Sequence, residues 1–172
     1  MGYNTDFLGA FDFKTPVSEE VRDYINAFSS TRHCIRDNDK IKNLISDWQE
    51  KTYPLNKGNL GKNGEFFVSD HINSSKYDFD FDYKNLVVDY NDCGEMPELW
   101  CQWIISDDCQ HLEWDGGEKF YEYTEWLNYL IDNFFKPYNI ILNGEVKFRG
   151  EEFDDIGQIT IIDNEVSQTY YL

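Results

Sequence analysis

The chain has 172 residues, with 33 acidic side chains against 15 basic ones and a formal net charge of −18. A length of this order can bury a sizeable core, and an aromatic fraction of 17% argues against wholesale disorder. The acidity excludes nucleic acid and anionic membrane as direct partners, because both would repel it. A basic partner, or simple solubility, remains.

The amino terminus shows no basic region followed by an apolar run, and no window is long and apolar enough for a membrane span. A soluble, unexported, cytoplasmic chain is expected. Asp6 stands where a myristoylation motif wants Ser or Thr. Cys34, Cys93, Cys101 and Cys109 form no C-x-x-C pair, so reduced thiols are expected.

In chain order, Tyr3, Phe7, Phe11 and Phe13 give residues 3–13 the alternation of an opening strand. Thr15 and Pro16 start a helix over 16–29 whose stripe is Val17, Val21, Tyr24, Ile25 and Phe28. Asn38 or Asp39 caps a second helix carrying Ile41, Leu44, Ile45 and Trp48, which ends before Pro54. The glycines and asparagines of residues 56–64 mark a loop. It is not a phosphate-binding loop, since Asn63 stands where Ser or Thr is needed after Gly61-Lys62.

Residues 65–69, 78–90, 99–105 and 110–114 read as strands, with a turn at Ser106-Asp107-Asp108. Asp115 and Glu118 have the spacing of a capping box. The run it opens, with Phe120, Tyr123, Trp126, Leu127, Leu130, Ile131 and Phe134 at helical spacing, predicts one long amphipathic helix over about 118–135, stopped by Pro137. Strands follow at 140–149 and 156–162, then a turn at Asp163-Asn164 and a last strand ending at Tyr171. Grouped strands predict an α+β fold: a mainly antiparallel sheet packed against the long helix and two N-terminal helices. No repeat or linker divides the chain, so a single domain over 1–172 is expected.

The charge is localised. Residues 1–75 carry 11 acids and 9 bases, whereas Asp78–Glu125 carry 14 acids against Lys84 and Lys119 alone. Within Asp78-Phe79-Asp80-Phe81-Asp82-Tyr83, period-two alternation sets three aspartates on one face and three aromatics on the other. The same spacing suggests a calcium loop, but Tyr83 and Asp89 stand where Gly and Glu are needed. In 99–105 one strand face holds Leu99, Cys101, Trp103 and Ile105, and the other Trp100, Gln102 and Ile104. Trp114 and Trp126 are expected in the core, and Trp100 is a candidate anchor for a partner.

No cysteine or histidine spacing fits zinc, and adjacent His33-Cys34 cannot act on one another as base and nucleophile. Glu113, Asp115 and Glu118 beside Trp114 suggest a carbohydrate-type carboxylate pair, which the capping box explains instead. No cofactor, no metal and no catalytic residue is therefore expected. The candidate partner-binding residues are Asp78, Asp80, Asp82, Asp107, Asp108, Trp100 and Glu113.

Four segments, residues 2–7, Leu99-Trp100-Cys101-Gln102-Trp103, residues 113–121 and Leu142-Asn143-Gly144-Glu145-Val146, resemble a family of uncharacterised small acidic proteins of bacteria and their phages. The resemblance covers nearly the whole chain and implies a variable helical or loop insertion around 36–62 and a bacterial cell or phage-infected host as the setting, but it implies no activity. In size and acidity the chain is also similar to immunity proteins and to phage inhibitors of nuclease defence. The leading expectation is a non-enzymatic acidic protein that neutralises a basic, nucleic-acid-handling partner such as a nuclease, in part as a nucleic-acid mimic. The alternative is a small-ligand binder or hydrolase using a cleft of Trp100, Trp103, Trp114 and Glu113.

Overall fold

The computed structural model describes residues 2–42, 52–53, 60–68 and 86–171. The chain forms two compact units, one of residues 1–22 with 101–172 and the other of residues 23–100. The described residues of the stretch around 36–62 lie within the second.

The first unit is built on a seven-stranded sheet. Its strands are β1 (Thr5–Leu8), β2 (Phe11–Phe13), β5 (Trp103–Ile105), β6 (His111–Trp114), β7 (Leu142–Gly150), β8 (Ile156–Ile162) and β9 (Glu165–Tyr170). The order is β5-β6-β2-β7-β8-β9, with β1 also on β7, and every pairing is antiparallel. The antiparallel α+β reading of the sequence is what the sheet shows. The opening strand, expected unbroken over 3–13, is two. Gly9 adopts φ +102°, a conformation glycine enters at little cost. The chain thereby sidesteps between β2, which pairs with the start of β7, and β1, which pairs with its end.

Period two decides which face is covered. Phe11, Phe13, Trp103, Ile105, Leu112, Leu142, Val146, Phe148, Ile159 and Ile161 point one way and are buried. Asp6, Leu8, Asp12, Glu145, Lys147 and Arg149 point the other way and are exposed. The alternation expected at 145–149 holds; of the 99–105 stretch, residues 101–105 alternate in burial, Leu99 is only half-buried, and residues 103–105 alone form a strand.

The covered face meets the helical run that opens with α3 (Tyr123–Leu130), widens into a π turn over Ile131–Phe135 and tightens into a 3₁₀ turn over Lys136–Tyr138. Trp126, Leu127, Leu130, Ile131, Phe134 and Phe135 are buried. The Tyr123 ring lies 5.8 Å from Phe148, and Phe135 5.3 Å from Phe13. The helix begins at Tyr123, later than the 118 expected, because the capping box does not form. Asp115 Oδ1 accepts instead from the Gly117 amide at 2.7 Å, and Lys119 and Glu122 take left-handed φ values of +58° and +55°, which no helix continues through. Trp114 is half-buried rather than core. Among the described residues the fully buried indoles are Trp126, as expected, and Trp103.

Helix α1 (Glu19–Ser29), whose residues from Asp23 onward belong to the second unit, starts three residues later than expected and buries Tyr24, Ile25, Ala27 and Phe28. β3 (Ile35–Arg36) pairs with β4 (Val87–Asp89). α2 (Asn38–Ile41) is capped by Asp37, not Asn38 or Asp39: its Oδ1 accepts from the amides of Asp39 and Lys40 at 3.0 and 3.3 Å. Ile41 joins Leu60, Phe67 and Leu86 in a small core. The described part of the expected 65–69 strand is turn and coil, and Leu44, Ile45 and Trp48 lie outside the described residues.

Two measurements check this packing. Trp103→Ala removes a fully buried indole and is expected to cost about 3–5 kcal/mol, against a smaller cost for Trp114→Ala, both read as urea midpoints. His33 is buried, and desolvation chiefly holds its pKa down at about 3, against an ordinary 6.5. The native ring therefore stays neutral while the unfolded chain takes a proton, so stability falls as pH drops from 6.5 toward 3. By about pH 5 the loss is about 1–2 kcal/mol; a His33→Gln variant whose stability falls as steeply over this window refutes the assignment.

Candidate functional site

The candidate partner-binding residues do not form one constellation. Asp78, Asp80 and Asp82 lie outside the described residues. Asp107 and Asp108 sit exposed in the β5–β6 turn, where the sequence placed a turn. Asp108 Oδ1 accepts from Ser106 Oγ at 2.6 Å and from the Gln110 amide at 3.1 Å. The Ser106 hydroxyl first, then that amide, draws its pKa below the usual value. The Arg22 guanidinium donates to the Asp107 carbonyl at 2.9 Å, so the turn is anchored and its carboxylates are held outward. Glu113 lies on the open sheet face, half-buried opposite Ile104.

Trp100 belongs to the other unit. It is 38% exposed, with the Arg32 guanidinium 5.9 Å from its ring. That same guanidinium stacks 3.9 Å over Tyr90 and donates to the Tyr90 carbonyl. Trp103 is committed to the core: its Nε1 donates to the Tyr123 carbonyl at 2.9 Å.

The other suggested chemistry is accounted for locally. His33 Nε2 lies 2.8 Å from the Phe28 carbonyl. Cys109 is buried in the turn, whereas His111 Nδ1 lies 2.6 Å from Asp12 on the open face. Burial raises the Asp115 pKa, although the Gly117 amide opposes it. Among the described residues no group of three or more His, Cys, Asp or Glu side chains could hold a metal ion, and no helix is long and apolar enough to cross a membrane.

Among the described residues the most exposed large apolar side chain lies between two expected strands, in a segment to which strand and helix periodicity assigns no role. Between β7 and β8, residues Glu151-Glu152-Phe153-Asp154-Asp155 form a loop in which Phe153 is 95% exposed. Four carboxylates thus flank one solvated phenyl ring. The loop is closed by the Gly150 amide on the Asp155 carbonyl at 2.7 Å and the Asp155 amide on the Glu152 carbonyl at 3.1 Å. The N-terminal segment then ties it down. Tyr3 Oη donates to Asp155 Oδ2 at 2.7 Å and accepts from the Glu152 amide at 3.1 Å, and Glu151 Oε1 accepts from the Asn4 amide at 2.8 Å. The Glu152 amide alone would lower the Tyr3 pKa, but the Asp155 carboxylate and desolvation outweigh it and raise the value. A cleft of about 880 Å³ opens beside the loop, lined by Phe153, Ile156, Tyr170 and Tyr171 with Glu152, Asp154 and Asp155. The available sequence signal was a dense acidic run interrupted by one aromatic between two strands, read only as the gap from Arg149 to Ile156.

No family model, no characterised protein and no solved structure matches this chain.

Removing the Tyr3 hydroxyl is expected to loosen the loop while leaving the sheet intact. Tyr3→Phe should speed hydrogen exchange at the Glu152 and Asp155 amides and cost about 1 kcal/mol overall. Unchanged exchange at both amides would show that the tyrosine does not hold the loop.

Proposed function

We propose that this chain is a non-enzymatic acidic binding protein that neutralises a basic, nucleic-acid-handling protein, as an immunity protein or phage anti-defence inhibitor does. Membership of the family of small acidic bacterial and phage proteins, and action in a bacterial or infected cytoplasm, belong to the same proposal. The observation that carries it is Phe153, held in water at the tip of a tethered loop between Glu151, Glu152, Asp154 and Asp155. An exposed aromatic supplies contact area once covered, and surrounding carboxylates select a cationic surface to cover it. Asp107 and Asp108, fixed in a second anchored turn at the opposite end of the sheet, form a separate acidic patch. A net charge of −18 speeds encounter with any basic partner and repels nucleic acid itself.

The competing reading, a ligand cleft lined by Trp100, Trp103, Trp114 and Glu113, loses its centre. The Trp103 ring is fully buried and its N–H is bonded.

The test is affinity capture from a bacterial lysate at low and high salt. The captured protein should be basic, should be displaced by duplex DNA, and should bind with a steep salt dependence. The E152Q/D154N variant, which leaves the Tyr3 tether intact, should retain the fold, bind more slowly and show a flatter salt dependence. Asp78, Asp80 and Asp82 changed together to Asn test whether that second strip shares the work. A partner that is not basic, or that duplex DNA fails to displace, sinks the reading.

A further inference from the structure

We infer that the groove running from the 151–155 loop to Lys147 and Arg149 receives the C-terminal end of a basic polypeptide, its free carboxylate lodged at that cation pair. The inference rests on the proposed role as a binder of a basic protein and names the segment bound.

The cleft beside the loop and a second of about 350 Å³ share Ile156 and Tyr171 and so make one groove across the ends of β1, β7 and β8. Its floor is apolar, formed by Leu8, 73% exposed, with Ile156 and Tyr171. The Tyr171 hydroxyl is fixed by donation to Gln158 Oε1 at 2.9 Å, and its amide by the Ile156 carbonyl at 2.8 Å. The floor is thus an ordered surface rather than a loose tail.

The two ends of the groove carry opposite charge. Phe153 stands with Glu152, Asp154 and Asp155 at one end. Lys147 and Arg149 stand at the other, two residues apart and therefore on one face of β7. Among the described residues neither cation makes an ion pair or a side-chain hydrogen bond. Of the carboxylates on that face, Asp6 lines the groove opposite Arg149 in the β1–β7 register, and Glu145, two residues from Lys147, accepts from Gln158 Nε2 at 3.2 Å. Two uncommitted cations on a surface otherwise so acidic mark a position for an anion.

A segment matching both ends must be basic where it meets the loop and anionic where it meets Lys147 and Arg149. An internal acidic residue would forfeit part of the attraction to the loop. The terminal carboxylate of a basic chain supplies the anion at no such cost, and a terminal apolar side chain covers Leu8 and Tyr171. Charge thus sets direction as well as identity.

Fluorescence anisotropy with two labelled probes tests this: a short lysine- and glycine-containing peptide ending in leucine with a free carboxylate, and the same peptide as its C-terminal amide. The free acid should bind about tenfold more tightly than the amide. In K147Q/R149Q that preference should vanish while residual, salt-dependent binding persists. F153A and E152Q/D154N should weaken both peptides alike, and D6N should strengthen the free acid. All these side chains are exposed, and a melting curve confirms that each variant folds.

Equal binding of acid and amide by the parent chain, or a preference that survives K147Q/R149Q, overturns the groove assignment and leaves the basic-partner reading standing. Failure to bind either peptide while the captured basic protein still binds does the same. A doubled mass in light scattering that F153A returns to the single chain shows that a second copy fills the groove, and overturns it too. Failure of the peptides and of every basic protein overturns both proposals.

Discussion

A fully buried indole must place its ring among apolar atoms and its N–H on an acceptor, and Trp103 meets both demands at one point in the first unit. Its ring lies 5.3 Å from Phe7, 5.7 Å from Phe11 and 5.3 Å from Phe120, in edge-to-face arrangements that suit the aromatic quadrupole. Its Nε1 reaches the carbonyl of Tyr123, the first residue of α3. A single side chain thereby joins the edge strand β5, both N-terminal strands and the start of the helix. An unmet N–H there would cost about 1–3 kcal/mol, so the helix start is fixed relative to the sheet and not free to slide back toward Glu118.

That anchoring decides which side of the sheet is available. The helix and the aromatic cluster cover one face, and period two sends Asp6, Asp12, Glu145, Lys147 and Arg149 to the other. Charges kept on exposed positions escape the desolvation penalty of burial and repel one another through water, where screening is strong. A rigid sheet with an open, charged face and tied turns at its ends is a platform on which geometry survives self-repulsion. Tyr3 and Asn4 extend the same logic to the loop, Tyr3 holding the Asp155 carboxylate and the Glu152 amide and Asn4 the Glu151 carboxylate.

Much of this was legible where local pattern and tertiary burial agree. Val146 and Phe148 alternate with Glu145, Lys147 and Arg149 because β7 is covered on one face only, and strands β7, β8 and β9 lie within a few residues of where periodicity put them. The start of α3 was illegible because Asp115 has a nearer acceptor role, at the Gly117 amide, which sequence spacing cannot distinguish from a cap. Burial also divides the tryptophans in a way that composition does not. Trp103 and Trp114 pair across β5 and β6, yet only the first is enclosed. As for the site, the Asp107-Asp108 turn was readable from turn chemistry. The 151–155 loop was not, since its significance lies in Tyr3, some 150 residues away in sequence and adjacent in space.

The loop also shows how charge and apolar surface divide the work of recognition. Full burial of a phenyl side chain is worth about 1.5–3 kcal/mol, and Phe153 forgoes nearly all of it in the free chain. Exposed apolar residues invite self-association, but here any second copy brings its own carboxylates to the same contact, and like charges oppose the approach. A basic surface meets no such opposition. It gains the apolar contact and the ionic attraction together, so the carboxylates decide which surface reaches Phe153 and the ring supplies what holds it there. Salt weakens the first of these far more than the second, which separates a rate of encounter that depends on ionic strength from a residence time that depends on the ring.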